Sequence, residues 1–266
     1  MQDRNSIFNH VKKWRDYFLI KKSTYSKLYK KPFNFFIDTF FPIECLLCKT
    51  EGRYICAKCA QKIPIKRFQT CPKCHTPSEL GRYCQNCRTE KNLNGLLALG
   101  DYKDRVTELI IKKYKYGFIK DLSTDLSGIL TSFFAQNAII DGKIFSKYYS
   151  HEILIVPVPL HKKRLNWRGF NQSAELAIKF AQNFKFSIDL DNLIKIKHTQ
   201  AQAKLKGNER LENLKNCFIW QSEKISYKCT ILIDDVSTTG STLNECAQAL
   251  KNAGAKNIWA LVLASG

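Results

Sequence analysis

The sequence has no run approaching the roughly 18 apolar residues that a membrane-crossing helix needs, which excludes a helical transmembrane protein. Its first residues lack the apolar core of about 7–15 residues and the small-residue cleavage site of a secretory signal. An oxidising compartment is therefore not expected, and the expected location is the cytoplasm. Acidic residues are scarce: 23 Asp and Glu stand against 43 Lys and Arg, a formal charge of +20. Low-complexity tracts are absent too. What is present is 44% hydrophobic and 25% charged, a globular rather than a disordered composition. At about 150 residues per domain, 266 residues make one or two domains.

The basic excess is uneven. Residues 1–95 carry +12 of the +20. Such an imbalance points to a polyanionic partner, either nucleic acid or an anionic membrane surface. Residues 1–40 add aromatics to the charge. Trp14, Tyr17, Phe18, Tyr25, Tyr29, Phe33, Phe35 and Phe36 stand among nine Lys and Arg. Three readings compete for this extension: a helix packed on the body, an interfacial helix in peripheral contact with a membrane, or a stacking platform for single strands.

Eight of the 11 cysteines fall between residues 45 and 87, in four C-x-x-C pairs. These are Cys45/Cys48, Cys56/Cys59, Cys71/Cys74 and Cys84/Cys87. A two-residue gap lets both sulfurs of a tight turn face one ion, and two such turns supply the four thiolates of a closed, structural zinc site. Two Zn²⁺ sites are expected. Serial pairing gives two ribbon-like sites, and interleaved pairing is equally compatible with the spacing. His75 is read as a surface residue, and Cys217, Cys229 and Cys246 as buried hydrophobes.

From Asn92 onward strands and helices alternate. Helices are predicted over 103–116, 119–137, 173–182, 209–215 and 241–252. Strands are predicted over 153–157, 193–198, 217–220, 230–233 and 258–264, with a polar loop from 158 to Phe170. In the 241–252 helix, Leu243, Cys246, Ala247 and Leu250 have the i, i+3, i+4, i+7 spacing of a buried face, and Gly254 caps it. The alternation implies an α/β fold with a mainly parallel sheet.

The stretch from Thr230 to Thr242 carries the most chemistry. An apolar strand delivers two adjacent carboxylates, Asp234 and Asp235. A loop rich in small hydroxyls follows, Ser237, Thr238, Thr239, Gly240, Ser241 and Thr242, and then a helix. Backbone N–H groups of such a loop and of a helix N-terminus form an anion cradle. Carboxylates beside it would repel a bare phosphate, but they suit a sugar phosphate whose hydroxyls they accept.

Asp234 to Thr242 resembles the 5-phosphoribosyl 1-pyrophosphate loop of type I phosphoribosyltransferases. The run Val156-Pro-Val-Pro-Leu-His161, then Arg164, then Arg168-Gly-Phe-Asn-Gln172, resembles one branch, the ComF competence family. Phe41-Pro42 leading into Cys45-Leu-Leu-Cys48 is similar to that family's opening. Lys115-Tyr116-Gly117 resembles its helix-end motif. Thr199, Gln202, Leu205, Arg210, Asn213 and Phe218 fit its pattern ahead of the phosphate loop. Two positions depart from it: Gln200 stands where Pro is frequent, and Ser237 where a larger residue is frequent. The resemblance covers residues 36–266.

The resemblance implies a type I phosphoribosyltransferase-like α/β domain over 93–266. A small N-terminal double zinc-ribbon module over 41–92 and the extension over 1–40 precede it. It implies that Asp234 and Asp235 accept the ribose hydroxyls and that Thr238 to Thr242 hold the 5′-phosphate. Leu160, His161, Lys162 and Arg164 would face the pyrophosphate, and Arg168, Asn171 and Gln172 would belong to a lid. Mg²⁺ would accompany the phosphoribosyl ligand. In role, the resemblance implies a competence factor that handles single-stranded DNA beside helicase or DNA-processing proteins. The alternative is a salvage phosphoribosyltransferase acting on a free base or another nitrogen nucleophile, with the acid pair as its catalytic groups. Transfer of nitrogen from glutamine is not expected, since no N-terminal cysteine is present.

Overall fold

A computed structural model describes residues 42–89, 92–139, 144–197 and 216–266. The N-terminal extension, the 209–215 helix, and the expectations for Thr199 to Asn213 lie outside the described residues. The chain divides into two compact units at Ile63/Pro64.

In the smaller unit, the described residues 42–63 hold the first four cysteines and one short helix, α1 (Ala57–Ala60). The larger unit begins with the second four cysteines and α2 (Gln85–Arg88). It continues through β1 (Gly95–Asp101), α3 (Arg105–Tyr116), α4 (Leu122–Phe134), β2 (Ile153–Pro157) and α5 (Lys162–Arg168). Then come α6 (Gln172–Phe184), β3 (Ser187–Ile188), β4 (Leu193–Lys195) and β5 (Phe218–Trp220). It closes with β6 (Cys229–Ser237), α7 (Ser241–Asn252) and β7 (Ile258–Ser265).

Five strands form one sheet in the order β1-β7-β6-β2-β3, every pair parallel. β4 and β5 form a separate antiparallel pair. Parallel strands are covered on both faces and therefore read as unbroken apolar runs. Ile153 to Val156, Ile231 to Ile233 and Ile258 to Ala264 are all buried accordingly. Leu243, Cys246, Ala247 and Leu250 of α7 pack against one face with Leu232, Ala260 and Val262. A phenylalanine cluster forms among α4, α6 and their flanks, in which Phe134 meets Phe145, Phe180 and Phe184 at 5.1–5.6 Å between ring centres. Cys217, Cys229 and Cys246 are fully buried, as expected of small hydrophobes. Burial pushes the Cys229 thiol up to about 12, which keeps it inert.

Four differences from the sequence reading have local causes. β1 was not predicted. It is an edge strand whose outer side is covered by the segment that precedes it. The Gln69 side chain donates to Ala98 O and accepts from Ala98 N, both at 3.0 Å, and Lys66 N–H donates to Leu99 O at 2.8 Å. This covering satisfies a backbone edge that would otherwise pair with another chain. α3 starts two residues later than predicted because Asp104 caps it, its Oδ1 accepting from Val106 N and Thr107 N. The predicted 119–137 helix is α4 followed by a wider turn over Ala135–Ile139. The predicted polar loop after β2 contains α5. His161 Nδ1 caps that helix by accepting from Lys163 N–H at 3.3 Å, and Gly169, at φ 75°, ends it. Histidine is an unusual N-cap, so a turn or cap role for His161, which the sequence left open beside a pyrophosphate contact, did not by itself signal a helix.

Candidate functional site

β2 and β6 are neighbours, with Pro157 beside Ile233, so the segments leaving their carboxyl ends lie side by side. This is the edge at which open α/β sheets place their ligands. β6 runs further than predicted, to Ser237, so both acids sit on the strand itself and only Thr238 to Gly240 form the loop.

Successive strand residues point to opposite faces, and the two carboxylates have different partners. Asp234 Oδ1 accepts from Ser173 Oγ at 2.8 Å and from Asp235 N–H at 2.9 Å. Burial and the neighbouring Asp235 charge push the Asp234 carboxyl up to about 7. Asp235 is buried and pairs through Oδ1 with Lys115 Nζ at 3.1 Å. Burial alone would lower the Lys115 ammonium, but the charges of Asp235 and Asp234 outweigh it and hold it above its ordinary range. Lys115 entered the sequence reading only as part of a helix-end motif. The fold carries it to the acid pair on the last turn of α3, a pairing 120 residues apart that no local pattern encodes.

The loop has the form of a cradle. Gly240 takes φ 72°, a left-handed conformation that favours glycine, and begins α7. Thr239 Oγ1 and Ser241 Oγ lie 2.8 Å apart. A small concavity is lined by Asp234 and by Val236 through Leu243, so Ser237, Thr238, Thr242 and their neighbours converge on one space.

The β2 side presents the other expected residues. Asn171 Nδ2 donates to Val158 O at 3.1 Å, and Asn171 Oδ1 caps α6 by accepting from Ser173 N–H. Arg168 Nη1 donates to Gln172 Oε1 at 3.0 Å, while its buried Nε has no partner among the described residues. Leu160, His161 and Arg164 are half-buried and Lys162 is exposed. Burial, with the nearby Arg168 charge, pushes the Arg164 guanidinium below its ordinary range. Burial and the Arg164 charge do the same to Lys195 on β4, a residue the sequence reading did not single out. Such crowding of cations favours an anion between them.

The cysteines pair serially. Cys45, Cys48, Cys56 and Cys59 bring their sulfurs within 4.8 Å of one another, and so do Cys71, Cys74, Cys84 and Cys87. A tetrahedral zinc with Zn–S near 2.3 Å sets sulfurs ~3.8 Å apart. Cys48 and Cys56, and likewise Cys74 and Cys84, are 3.6 Å apart, so both sets fit zinc. The two sites repeat one local design. Cys45 N–H donates to Thr50 O and Cys71 N–H to Thr76 O, each at 2.8 Å. Lys49 and His75 occupy the same left-handed turn position, at φ 64° and 61°. His75 is exposed and outside the ligand set, as expected. Thr50 beside Cys48, through its hydroxyl and its N–H, pulls that thiol down to about 6, toward the thiolate a metal needs.

Residues 36–88 match the model of the double zinc ribbon domain. The chain is 31% identical to Competence protein F of Haemophilus influenzae over 238 residues, covering 85% of this chain and 99% of that one. It is 28% identical to the DNA utilization protein YhgH of Salmonella typhimurium over 225 residues, covering 82% and 95%. Among solved structures it resembles a hypoxanthine phosphoribosyltransferase from Staphylococcus aureus at 15% identity and a TM-score of 0.33. That likeness covers 54% of this chain and 64% of the enzyme.

Proposed function

The chain belongs to the ComF competence family, and from that premise we propose that it serves DNA uptake in natural transformation. In this reading it handles single-stranded DNA and binds a ligand like 5-phosphoribosyl 1-pyrophosphate. The observation that carries the ligand is the sequence of groups along one strand end: Asp234 and Asp235 on β6, then the Thr238–Gly240 loop that opens α7.

Within this reading the acid pair accepts the ribose hydroxyls and the loop amides with Thr239 and Ser241 receive the 5′-phosphate. Lys115 holds Asp235 in place through their ion pair. Leu160, His161, Lys162 and Arg164 face the pyrophosphate, and Arg168, Asn171 and Gln172 belong to the lid beside it. Mg²⁺ travels with the pyrophosphate and neutralises part of its charge. Residues 41–92 are the metal module, 93–266 the ribose-phosphate domain, and 1–40 a basic approach for DNA. A cytoplasmic location suits this role, and no helix among the described residues is long and apolar enough to cross a membrane.

Hydrogen–deuterium exchange tests the ligand assignment locally. Phosphoribosyl pyrophosphate with Mg²⁺ is expected to slow exchange of the amides of residues 238–242 at least tenfold, and free adenine is expected to leave them unchanged. Equal exchange with and without the phosphoribosyl ligand contradicts the assignment.

A further inference from the structure

Soluble proteins seldom leave their largest rings in water, so a cluster of exposed aromatics marks a contact surface. Three such rings lie close together beside the site just described. Tyr116 and Phe118 are each 56% exposed and Trp167 is 60% exposed. Phe118 and Trp167 meet edge to face with 5.9 Å between centroids, and the Arg168 guanidinium lies 5.6 Å from the centre of the Tyr116 ring. Phe118 sits at φ 53°, a costly conformation for a residue with a Cβ, so the chain reversal after α3 holds its ring outward against a preference. The charge on α5 has one sign. The seven residues of α5 include Lys162, Lys163, Arg164 and Arg168 and no acid, and none of the four forms an ion pair among the described residues.

Exposed rings beside cations that form no ion pair among the described residues fit one kind of partner well. Unpaired bases stack on rings without regard to sequence, and the phosphates between them meet the cations. A folded protein partner would bring carboxylates but no row of planar faces. A duplex keeps its bases stacked on one another. We propose that Tyr116, Phe118 and Trp167, with the cations of α5, form the docking surface for single-stranded DNA. This proposal rests on the DNA-handling role above and assigns it a place. The surface adjoins the ribose-phosphate site through both flanks: Lys115, next to Tyr116, pairs with Asp235, and Ser173, just beyond α5, binds Asp234. A bound strand therefore lies across the mouth of the site rather than on a remote face.

Fluorescence anisotropy of the full, zinc-loaded chain with a labelled ~20-nucleotide oligothymidylate tests this at ~50 and ~200 mM salt. Trp167→Ala and Phe118→Ala are each expected to weaken binding about tenfold, with the slope of affinity against salt unchanged, because rings and not phosphate contacts are lost. Trp167→Tyr is expected to restore affinity to within about threefold. Lys162→Gln/Lys163→Gln is expected to reduce the salt slope by about 1.4 instead. Binding of phosphoribosyl pyrophosphate by Trp167→Ala is expected to match the native chain, which separates this proposal from the ribose-phosphate reading. Native binding that Trp167→Ala and Phe118→Ala leave untouched overturns the docking surface while leaving a DNA role intact. No binding by the native chain overturns both. A tenfold preference for oligouridylate reassigns the surface to RNA. A change from dimer to monomer on Trp167→Ala, without loss of DNA binding, assigns it to a second copy of the chain.

Discussion

Serine at both Cys71 and Cys87 is expected to unfold the larger unit, whereas serine at both Cys45 and Cys59 is expected to leave its melting unchanged. The two zinc sites have the same local design but different company. Cys71, Cys87 and Tyr83 are buried in one core with Ala98 of β1, Leu243 and Cys246 of α7, and Val262 of β7. The same segment covers the free edge of β1 through Gln69, Lys66 and the antiparallel bridge between Arg82 and Gly95. Gly81 is pressed so closely onto Leu96 that a Cβ there would sit 2.0 Å from its carbonyl oxygen, so the fit tolerates no displacement. Structural zinc contributes about 10–16 kcal/mol in small finger peptides, which matches or exceeds the ~5–15 kcal/mol of a whole domain. Losing it from the second site removes a wall of the core and uncovers an edge strand. Among the described residues, that core includes none of the first site's cysteines. Each double variant should bind one zinc in place of two. Melting of the 64–266 unit should fall by more than ~10 °C, or vanish, only for the Cys71/Cys87 pair. Equal effects from the two pairs contradict this division of labour.

The second large effect separates the two acids. Asp234 titrates at about 7 in the folded chain against an ordinary 3.8. Between those values the folded chain holds a proton that the unfolded chain has released. Stability from this group is therefore complete below about pH 4 and lost as pH rises through 7. At pH 8 the ionised, half-buried carboxylate costs on the order of a few kcal/mol. Asp234→Asn removes that cost. The variant is expected to melt ~5 °C or more above the native chain at pH 8, with the gap closing toward pH 5. Comparing the two proteins at each pH cancels any loss of zinc in acid. Asp235→Asn has the opposite sign, because it leaves the half-buried Lys115 without its counter-charge. It is expected to cost about 2–3 kcal/mol, less than for a fully buried pair because Lys115 is partly exposed. Thermal denaturation of both variants between pH 5 and 8 checks this. Two variants shifting in the same direction at pH 8 would contradict the assignment of partners. A carboxylate that weakens the fold at the carboxyl edge of the sheet fits the ribose-phosphate role proposed above.

Much of this arrangement was legible in the sequence because the signals were local. β2 and α7 match their predicted limits. Ile153 to Val156 is an unbroken apolar run, and α7 has both a 3.6-residue apolar spacing and a glycine on either side, Gly240 and Gly254. The zinc ligands were legible from spacing, and their serial pairing was not, since spacing does not say which turns fold together. β1 was missed because Leu96 to Leu99 holds only Leu and Ala, without the β-branched residues that mark Ile153 to Val156 as a strand, and its edge is satisfied by Gln69, a residue with no strand character. α5 was missed because its cap is a histidine. Lys115 was missed as a site residue because its role depends on a contact between α3 and β6 that only the fold creates.

The most direct measurement of the central claim is calorimetric titration of the zinc-loaded chain with phosphoribosyl pyrophosphate and Mg²⁺, beside the Asp234→Asn/Asp235→Asn variant. Saturable binding to the native chain is expected, with at least a hundredfold loss in a variant that circular dichroism shows to be folded. Equal binding by the two proteins, or none by the native chain, would contradict a ribose-phosphate site at the end of β6.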